Sequence, residues 1–278
     1  MLSYLHAFHA GNFADVHKHA TLVLALNMMQ AKASGIACID THAGSALYDL
    51  DDERARKTAE ADAGIRKLWP QLDRLAAADW QLLRPYLQQL NPGTKLRHYP
   101  GSPAWFGHFL RGQDHLSAFE LHPSETSSLS QWASGKRLRV THQDGLAGLL
   151  KVLPPRLPRL LVLIDPSYEV KTDYTAVAKT LARAWQKCRH GVFLVWYPML
   201  TSGLEQTLLD TLRAGPIRKI LRHEVRLQTL PERGMVGSGM LVINPPWGMD
   251  ERLSAMMSDL KPAAQLGLDQ QMDWLVSE

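Results

Sequence analysis

Asp165-Pro166-Ser167-Tyr168 follows an unbroken apolar run, Leu160-Leu161-Val162-Leu163-Ile164. The run predicts a strand buried on both faces, and the proline stops it. At such a strand tip a carboxylate and a proline-fixed carbonyl can each accept a hydrogen bond from an exocyclic NH2. An aromatic ring beside them can stack on the plane that carries the amine. Asp, Pro and Ser are also turn formers, so a plain β-turn is the competing reading. Asn244-Pro245-Pro246-Trp247 is a rival with similar chemistry at the end of a strand over 239–244. Only about thirty residues follow it, too few for a further βαβ unit of ~30 residues with its own strand-end acid. It reads as a structural loop.

Other strand tips carry polar groups of the same kind. The run 35–40 is a short strand ending in Asp40, and Thr41-His42-Ala43-Gly44-Ser45-Ala46 follows it. Small side chains at that corner let backbone N–H groups, including that of Gly44, approach a ligand closely. Glu120 lies near the end of a second strand, 116–121, where a carboxylate can accept both hydroxyls of a ribose. A third strand, 138–142, leads into Asp144-Gly145, suited to a base-edge amine or simply to an Asp-Gly turn. Tyr99-Pro100-Gly101-Ser102-Pro103 is a turn that opens a helix, with Ser102 expected to cap it and Pro103 in its first turn.

The first nineteen residues hold His6, His9, His17 and His19, with Tyr4, Asn12, Asp15 and Lys18 among them. This composition suits a lid whose polar groups touch a ligand, and a solvated tail is the bland alternative. A metal would need the histidines on one face. Their spacing offers only pairs, with no cysteine or paired carboxylates nearby, so no metal site is expected. Asp15 is placed to start a helix that continues through 20–31.

These tips must be held by the elements between them. Residues 51–92 change character, with helical stripes at Ala55, Ala59, Ile65 and Leu68 and again at Leu82, Leu83, Tyr86, Leu87 and Leu90. Two helices between the first and second strands exceed what one crossover requires. The expectation is a main domain of 1–50 and 93–278, with 1–19 as lid and 51–92 as an inserted helical subdomain. Helices over 146–153, 174–189 and 204–213 alternate with strands over 192–198, 217–227 and 239–244, and the last thirty residues suggest a helix and a short strand. Alternation of this kind implies a doubly wound α/β sheet that binds ligand at the carboxyl ends of its strands.

With 278 residues, 45% of them apolar and 21% charged, the chain can bury a large core as an ordinary globular protein. No apolar run approaches the ~20 residues of a membrane span, so no membrane partner is expected. The opening Met1-Leu2-Ser3-Tyr4 lacks the blocks of a signal peptide, and two cysteines make no disulfide framework. A cytoplasmic location follows as the expectation. A net charge of +4 permits a nucleic-acid partner without demanding one.

Taken together, the strand tips resemble those of class I S-adenosylmethionine-dependent methyltransferases, whose aminomethyltransferase members carry Asp-Pro-Pro-Tyr at the fourth strand. Tyr4-x-His6-x-Phe8-His9-Ala10-Gly11-Asn12-x-Ala14-Asp15-Val16-x-Lys18-His19 is more specific. With Thr41-His42-Ala43-Gly44, Tyr99-Pro100-Gly101-Ser102-Pro103, Glu120-Leu121-His122-Pro123 and Lys171-Thr172-Asp173-Tyr174, it resembles the RlmJ family, the 23S rRNA adenine-N6 methyltransferases, over nearly the whole chain. The resemblance implies a Rossmann-like, mixed seven-stranded sheet with helices on both faces and a small helical insertion. It implies S-adenosyl-L-methionine as cofactor, held by His19, His42, Gly44, Ser102, Glu120, Asp144, Gly145 and Asp165. Asp165, Pro166 and Tyr168 would be catalytic, with Tyr168 stacking on the base. Tyr4, His6 and Lys18 would meet the target adenine of 23S rRNA. No obligate protein partner is evident in the sequence, and a monomer is the expectation.

Two departures stand out. Ala46 replaces a glycine that the family's loop tends to have, which predicts lost backbone freedom. Ser167 replaces the second proline, which predicts a less stiffly held Pro166 carbonyl. The strand-tip chemistry alone leaves adenine in DNA as an alternative substrate. A metal-dependent nucleic-acid hydrolase using the N-terminal histidines and Asp165, or a binder without catalysis, are further alternatives.

Overall fold

The computed structural model describes residues 5–264 and 266–278, with the side chains of 261–264 left aside. Tyr4 lies outside the described residues. The frame is an eight-stranded sheet built from β1 (Ile36–Asp40), β4 (His115–Glu120), β5 (Leu138–His142), β6 (Arg159–Ile164), β7 (Val192–Leu200), β8 (Ile220–Leu227), β9 (Met235–Ile243) and β10 (Leu268–Val276). Its order is β10-β8-β9-β7-β6-β1-β4-β5, and a two-stranded ladder pairs β2 (Leu47–Asp49) with β3 (His98–Pro100). β5, β4, β1, β6 and β7 run parallel, while β9 is antiparallel to both of its neighbours. The sheet is therefore mixed, as the resemblance implied. The eighth strand is β10, which pairs antiparallel with β8 and covers what would otherwise be an open edge.

β6 is fully buried from Leu160 to Ile164, as its unbroken apolar run predicts. Helices cover both faces. One face packs α1 (Phe13–Gln30), α5 (Ser102–Phe109), α6 (Pro123–Ala133) and α10 (Met249–Ala264); the other packs α7 (Gly145–Val152), α8 (Thr172–Lys187) and α9 (Gln206–Arg213). α1 begins one turn earlier than its acid suggests. Asn12 is the N-cap, its side chain accepting the Asp15 N–H at 2.8 Å, so the Asp15 carboxylate is left for other work. Ser102 makes no capping hydrogen bond either. Gly101 is the N-cap of α5, and Ser102 is its first helical residue.

The stretch 51–92 lies between β2 and β3 and forms short pieces, not the two helices its apolar spacing suggests. α2 (Glu53–Thr58), α3 (Ile65–Leu68) and α4 (Arg84–Leu90) are separated by 3-10 turns. Ala59, with φ of 54°, ends the first piece. Gly64 ends the next because the chain there presses on the N-terminal segment; an added Cβ would lie 2.3 Å from the Gly11 carbonyl oxygen. Ile65, Leu68, Leu72, Trp80 and Leu87 join the same apolar core as α1 and α10. Trp80 is fully buried, and its Nε1–H donates to the Met256 carbonyl at 3.2 Å. Tertiary burial thus overrides helical period here.

Replacing Gly64 with alanine forces this backbone contact apart. We expect Gly64→Ala to lower unfolding stability by about 1–3 kcal/mol in urea titrations.

Candidate active site

The parallel strands end at one cavity of about 350 Å³. β1 delivers the turn His42–Gly44, β4 delivers Glu120, the corner after β5 delivers Asp144 and Gly145, and the tip of β6 delivers Asp165 and Pro166. α1 adds Lys18 and His19 to its wall, the segment before it adds His6, and the start of α5 adds Ser102. Apart from Tyr168, every site residue expected from the sequence that lies among the described residues reaches this one space.

Its acidic centre is built across three segments. Lys18 Nζ donates to Asp165 Oδ2 at 2.5 Å and pairs with Asp15 Oδ1 at 2.9 Å. Asp15 Oδ2 meets His6 Nε2 at 2.8 Å and accepts the Gly11 N–H at 2.8 Å. Burial opposes the charge on Lys18, but the two carboxylates outweigh it and raise its pKa. Burial likewise opposes the charge on Asp15, yet His6 and Lys18 hold its pKa well below the usual carboxylate range. For Asp165 burial wins, and its pKa is raised although Lys18 pulls the other way. Oδ2 is occupied by lysine, and Oδ1 makes no hydrogen bond among the described residues.

The opposite end of the cavity is set by backbone amides. Glu120 Oε2 accepts the Gly44 N–H at 2.7 Å and Oε1 accepts the His122 N–H at 2.6 Å. Each oxygen keeps a lone pair for a ligand hydroxyl. Asp144 caps α7, its Oδ1 accepting the Ala147 N–H at 2.7 Å. Gly145 admits no side chain, because a Cβ would sit 1.6 Å from the Thr41 carbonyl oxygen. Ala46 is absent from the residues with left-handed φ, so alanine there loses nothing in backbone freedom, contrary to expectation.

Tyr168 requires a correction. Its φ is 53°, a left-handed value that turns the ring inward. The ring packs against Tyr174 at 4.5 Å between centroids and is 5% exposed. Its hydroxyl donates to the Trp196 carbonyl at 2.8 Å. The stacking face expected at this position is therefore spent on the core, since burying a phenol ring and satisfying its O–H is favourable. Tyr168 instead anchors the turn that carries Asp165 and Pro166.

The N-terminal histidines scatter. His6 goes to Asp15, His9 to Glu60, His17 to His223 and His19 to Tyr99. Among the described residues no group of three or more His, Cys, Asp or Glu side chains is gathered for a metal. His17 belongs to a buried chain whose proton order can be read. Gln270 Nε2–H donates to the Ser254 carbonyl at 3.1 Å, which leaves its Oε1 to accept from His223 and sets the order. Trp196 Nε1–H donates to Ser238 Oγ at 3.0 Å, and the Ser238 hydroxyl donates to His17 Nδ1 at 3.0 Å. His17 Nε2–H then donates to His223 Nδ1 at 2.8 Å, and His223 Nε2–H to Gln270 at 2.9 Å. Burial holds both imidazoles neutral.

Asp15 and Asp40 carry roles that strand-tip logic does not reveal. Asp15 was visible as a helix-start acid, but its bond to Lys18 is not local. Asp40 is fully buried at the tip of β1, and neither carboxylate oxygen has a hydrogen-bond partner of normal geometry among the described residues. Burial pushes its pKa up to about 7. His19 Nε2 is likewise buried without a hydrogen-bond partner among the described residues. Orphaned polar atoms of this kind beside a cavity mark where ligand polar groups belong.

Asp40 gives a pH signature. Its folded pKa of about 7 lies above the ~3.9 of an unfolded aspartate, so between those values the folded chain binds more protons than the unfolded one. Stability of the ligand-free protein falls as pH rises through this window and levels above it. We expect Asp40→Asn to flatten that slope, read from urea midpoints at pH 4.5 to 8.

A family model described as ribosomal RNA large subunit methyltransferase D, RlmJ, matches residues 33–276. The chain is 40% identical over 271 residues to ribosomal RNA large subunit methyltransferase J of Escherichia coli K12, covering 95% of each. It is 38% identical over 260 residues to the protein of the same name from Haemophilus influenzae, covering 92% of each. Among solved structures, protein LPL1258 from Legionella pneumophila superposes with a TM-score of 0.89 at 33% identity, covering 96% of this chain and 98% of that one. The matched residues include every strand of the sheet and the tips that form the cavity. The chain therefore belongs to the RlmJ family of ribosomal RNA large subunit methyltransferases.

Proposed function

We propose that this protein transfers a methyl group from S-adenosyl-L-methionine to the exocyclic N6 of an adenine in 23S rRNA. The observation that carries the reading is Asp165, one oxygen held by Lys18 and the other left to the cavity beside Pro166.

The residues present fit the cofactor. Glu120 would take the ribose hydroxyls and Asp144 the base edge, while Asp40, His19 and Ser102 offer polar atoms for the amino-acid end. The close approach of the Gly145 and Thr41 backbones shapes the floor between them. When bound, S-adenosyl-L-methionine supplies the electrophilic methyl carbon on a sulfonium.

The amine of adenine is a poor nucleophile because its lone pair is shared with the ring. Asp165 Oδ1 and the Pro166 carbonyl would each accept one N–H, favouring a pyramidal nitrogen and stabilising the positive charge that grows on it. After transfer the extra N6 proton passes to Asp165 Oδ1, which burial makes more basic than an exposed carboxylate. Lys18 stays protonated throughout and keeps Oδ2 fixed. Tyr168 holds the turn, and His6 with Asp15 positions Lys18. The adenine must leave its stack, which costs a few kcal/mol unless it is already unpaired.

All these groups come from one chain, which supports activity as a monomer. Among the described residues no helix is long and apolar enough to cross a membrane. Incubation with labelled cofactor and protein-free 23S rRNA, followed by nucleoside mapping, tests reaction and substrate together. N6-methyladenine is the expected product. Label in DNA oligonucleotides at equal efficiency would overturn the RNA assignment.

Asp165→Ala should reduce turnover at least a hundredfold while the cofactor still shifts the melting temperature. Activity requires ionised Asp165, so kcat/KM falls as pH drops through its raised pKa. Lys18→Met removes the charge that restrains that pKa, and the acid limb of the pH–rate profile should move to higher pH.

A further inference from the structure

Tyr48 touches both ends of the cavity. It is the central residue of β2, opposite Tyr99 in β3, and it lines the cavity while only 6% exposed. Residues directly opposite on such a ladder share a face. That face brings Tyr99 Oη within 2.9 Å of His19 Nδ1 and sets the Tyr48 ring against His6.

Hydroxyl and ring meet different segments. The hydroxyl oxygen accepts the Ser45 N–H at 2.9 Å. Glu120 Oε2 takes the Gly44 N–H, and Ser45 Oγ donates to Glu125 Oε2 at 2.7 Å. The Gly44–Ser45 turn is therefore held by three groups, from β2, β4 and α6. The ring meets the His6 ring edge-on, with 5.2 Å between centroids and an interplanar angle of 62°. His6 bonds Asp15, which pairs with the Lys18 that holds Asp165.

Two glycines make room for this side chain. A Cβ on Gly44, whose φ is 57°, would lie 2.5 Å from the Tyr48 hydroxyl oxygen. One on Gly101, the N-cap of α5, would lie 3.0 Å from Tyr48 Cε2 and 2.5 Å from the Ser45 carbonyl oxygen. Neither position admits alanine without displacing the phenol or the turn it holds.

We propose that Tyr48 is a positioning residue for methyl transfer, its hydroxyl setting the Gly44–Ser45 turn on the cofactor side and its ring setting His6 on the acceptor side. This rests on the methyltransferase reading above. In-line transfer requires the donor carbon and the acceptor nitrogen to be fixed relative to each other. Tyr48 is a rigid bridge between the segments that fix them. Phenylalanine keeps the acceptor half of that bridge and loses the cofactor half, so the two can be separated.

The test compares Tyr48→Phe, Tyr48→Leu, Gly44→Ala and the double variant G44A/Y48F. Calorimetry gives the Kd for S-adenosyl-L-methionine, and single-turnover methylation of protein-free 23S rRNA gives the rate at saturating cofactor. In Tyr48→Phe the Ser45 N–H loses its acceptor, and the Kd should rise about fivefold with the rate near wild type. Tyr48→Leu also removes the ring, and the rate should fall about tenfold. In the Gly44→Ala background the hydroxyl oxygen is a clash, whereas the ring carbon that bears it, at 3.9 Å, is not. Tyr48→Phe should therefore recover cofactor affinity there, although it weakens binding in the wild-type chain. A tyrosine that only fills the core would lower the melting temperature and leave both Kd and rate unchanged. An unchanged Kd in Tyr48→Phe, an unchanged rate in Tyr48→Leu, or losses that simply add in G44A/Y48F would each overturn the proposal. Should Tyr48→Leu fail to fold, Tyr48→Phe and the Gly44 pair decide it. Wild-type protein that methylates no RNA would instead sink the underlying reading, so the two failures separate.

Discussion

The site depends on a lysine buried between two carboxylates. An ammonium taken out of water is strongly disfavoured, and so is each carboxylate. Lys18, Asp15 and Asp165 are tolerable in the interior only because they compensate one another, with His6 and the Gly11 N–H taking the remaining valence of Asp15. Removing one member of such a set typically costs about 3–5 kcal/mol. This makes the N-terminal segment, α1 and the β6 tip one electrostatic unit. It also orients Asp165, because the lysine takes one oxygen and leaves the other.

The remainder of the molecule can be understood as support for that unit. α1 is buried along nearly its whole length, so its polar residues must each find an interior partner. His17 finds it in the chain running from Trp196 to Gln270, and His19 finds it in Tyr99. The insertion presses Gly64 onto the backbone of Gly11 and Asn12, and Glu60 accepts from Asn12 and meets His9. The loop carrying His6 is thus held from outside as well as from the helix. Beyond the site, β7 runs past the tip of β6 and stays paired there with the antiparallel β9.

Most of the architecture was legible in the sequence. The apolar run before Asp165, the acid after β4 and the small-residue corner after β1 are local signals, and each was where a parallel sheet would place a ligand group. Less legible was anything set by partners far along the chain. The helical stripes of 51–92 are real, but Ala59, Gly64 and the demand for core contacts break them into short turns. Tyr168 looked like a stacking face because its neighbours suit an amine, and nothing local shows that Tyr174 and the Trp196 carbonyl claim it.

By itself the sequence determined which groups sit at strand tips, because strand and turn propensities act over a few residues. It also determined the family, through spaced motifs from Tyr4 to Tyr174. Only the tertiary structure decided which oxygen of Asp165 Lys18 takes, that Asp15 belongs to the site, that neither oxygen of Asp40 has a hydrogen-bond partner of normal geometry among the described residues, and how far β7 outruns β6. Those outcomes turn on burial and on contacts between residues up to 147 positions apart, as in Lys18 with Asp165. The dielectric and geometry felt by each charge exist only once the chain has closed around it.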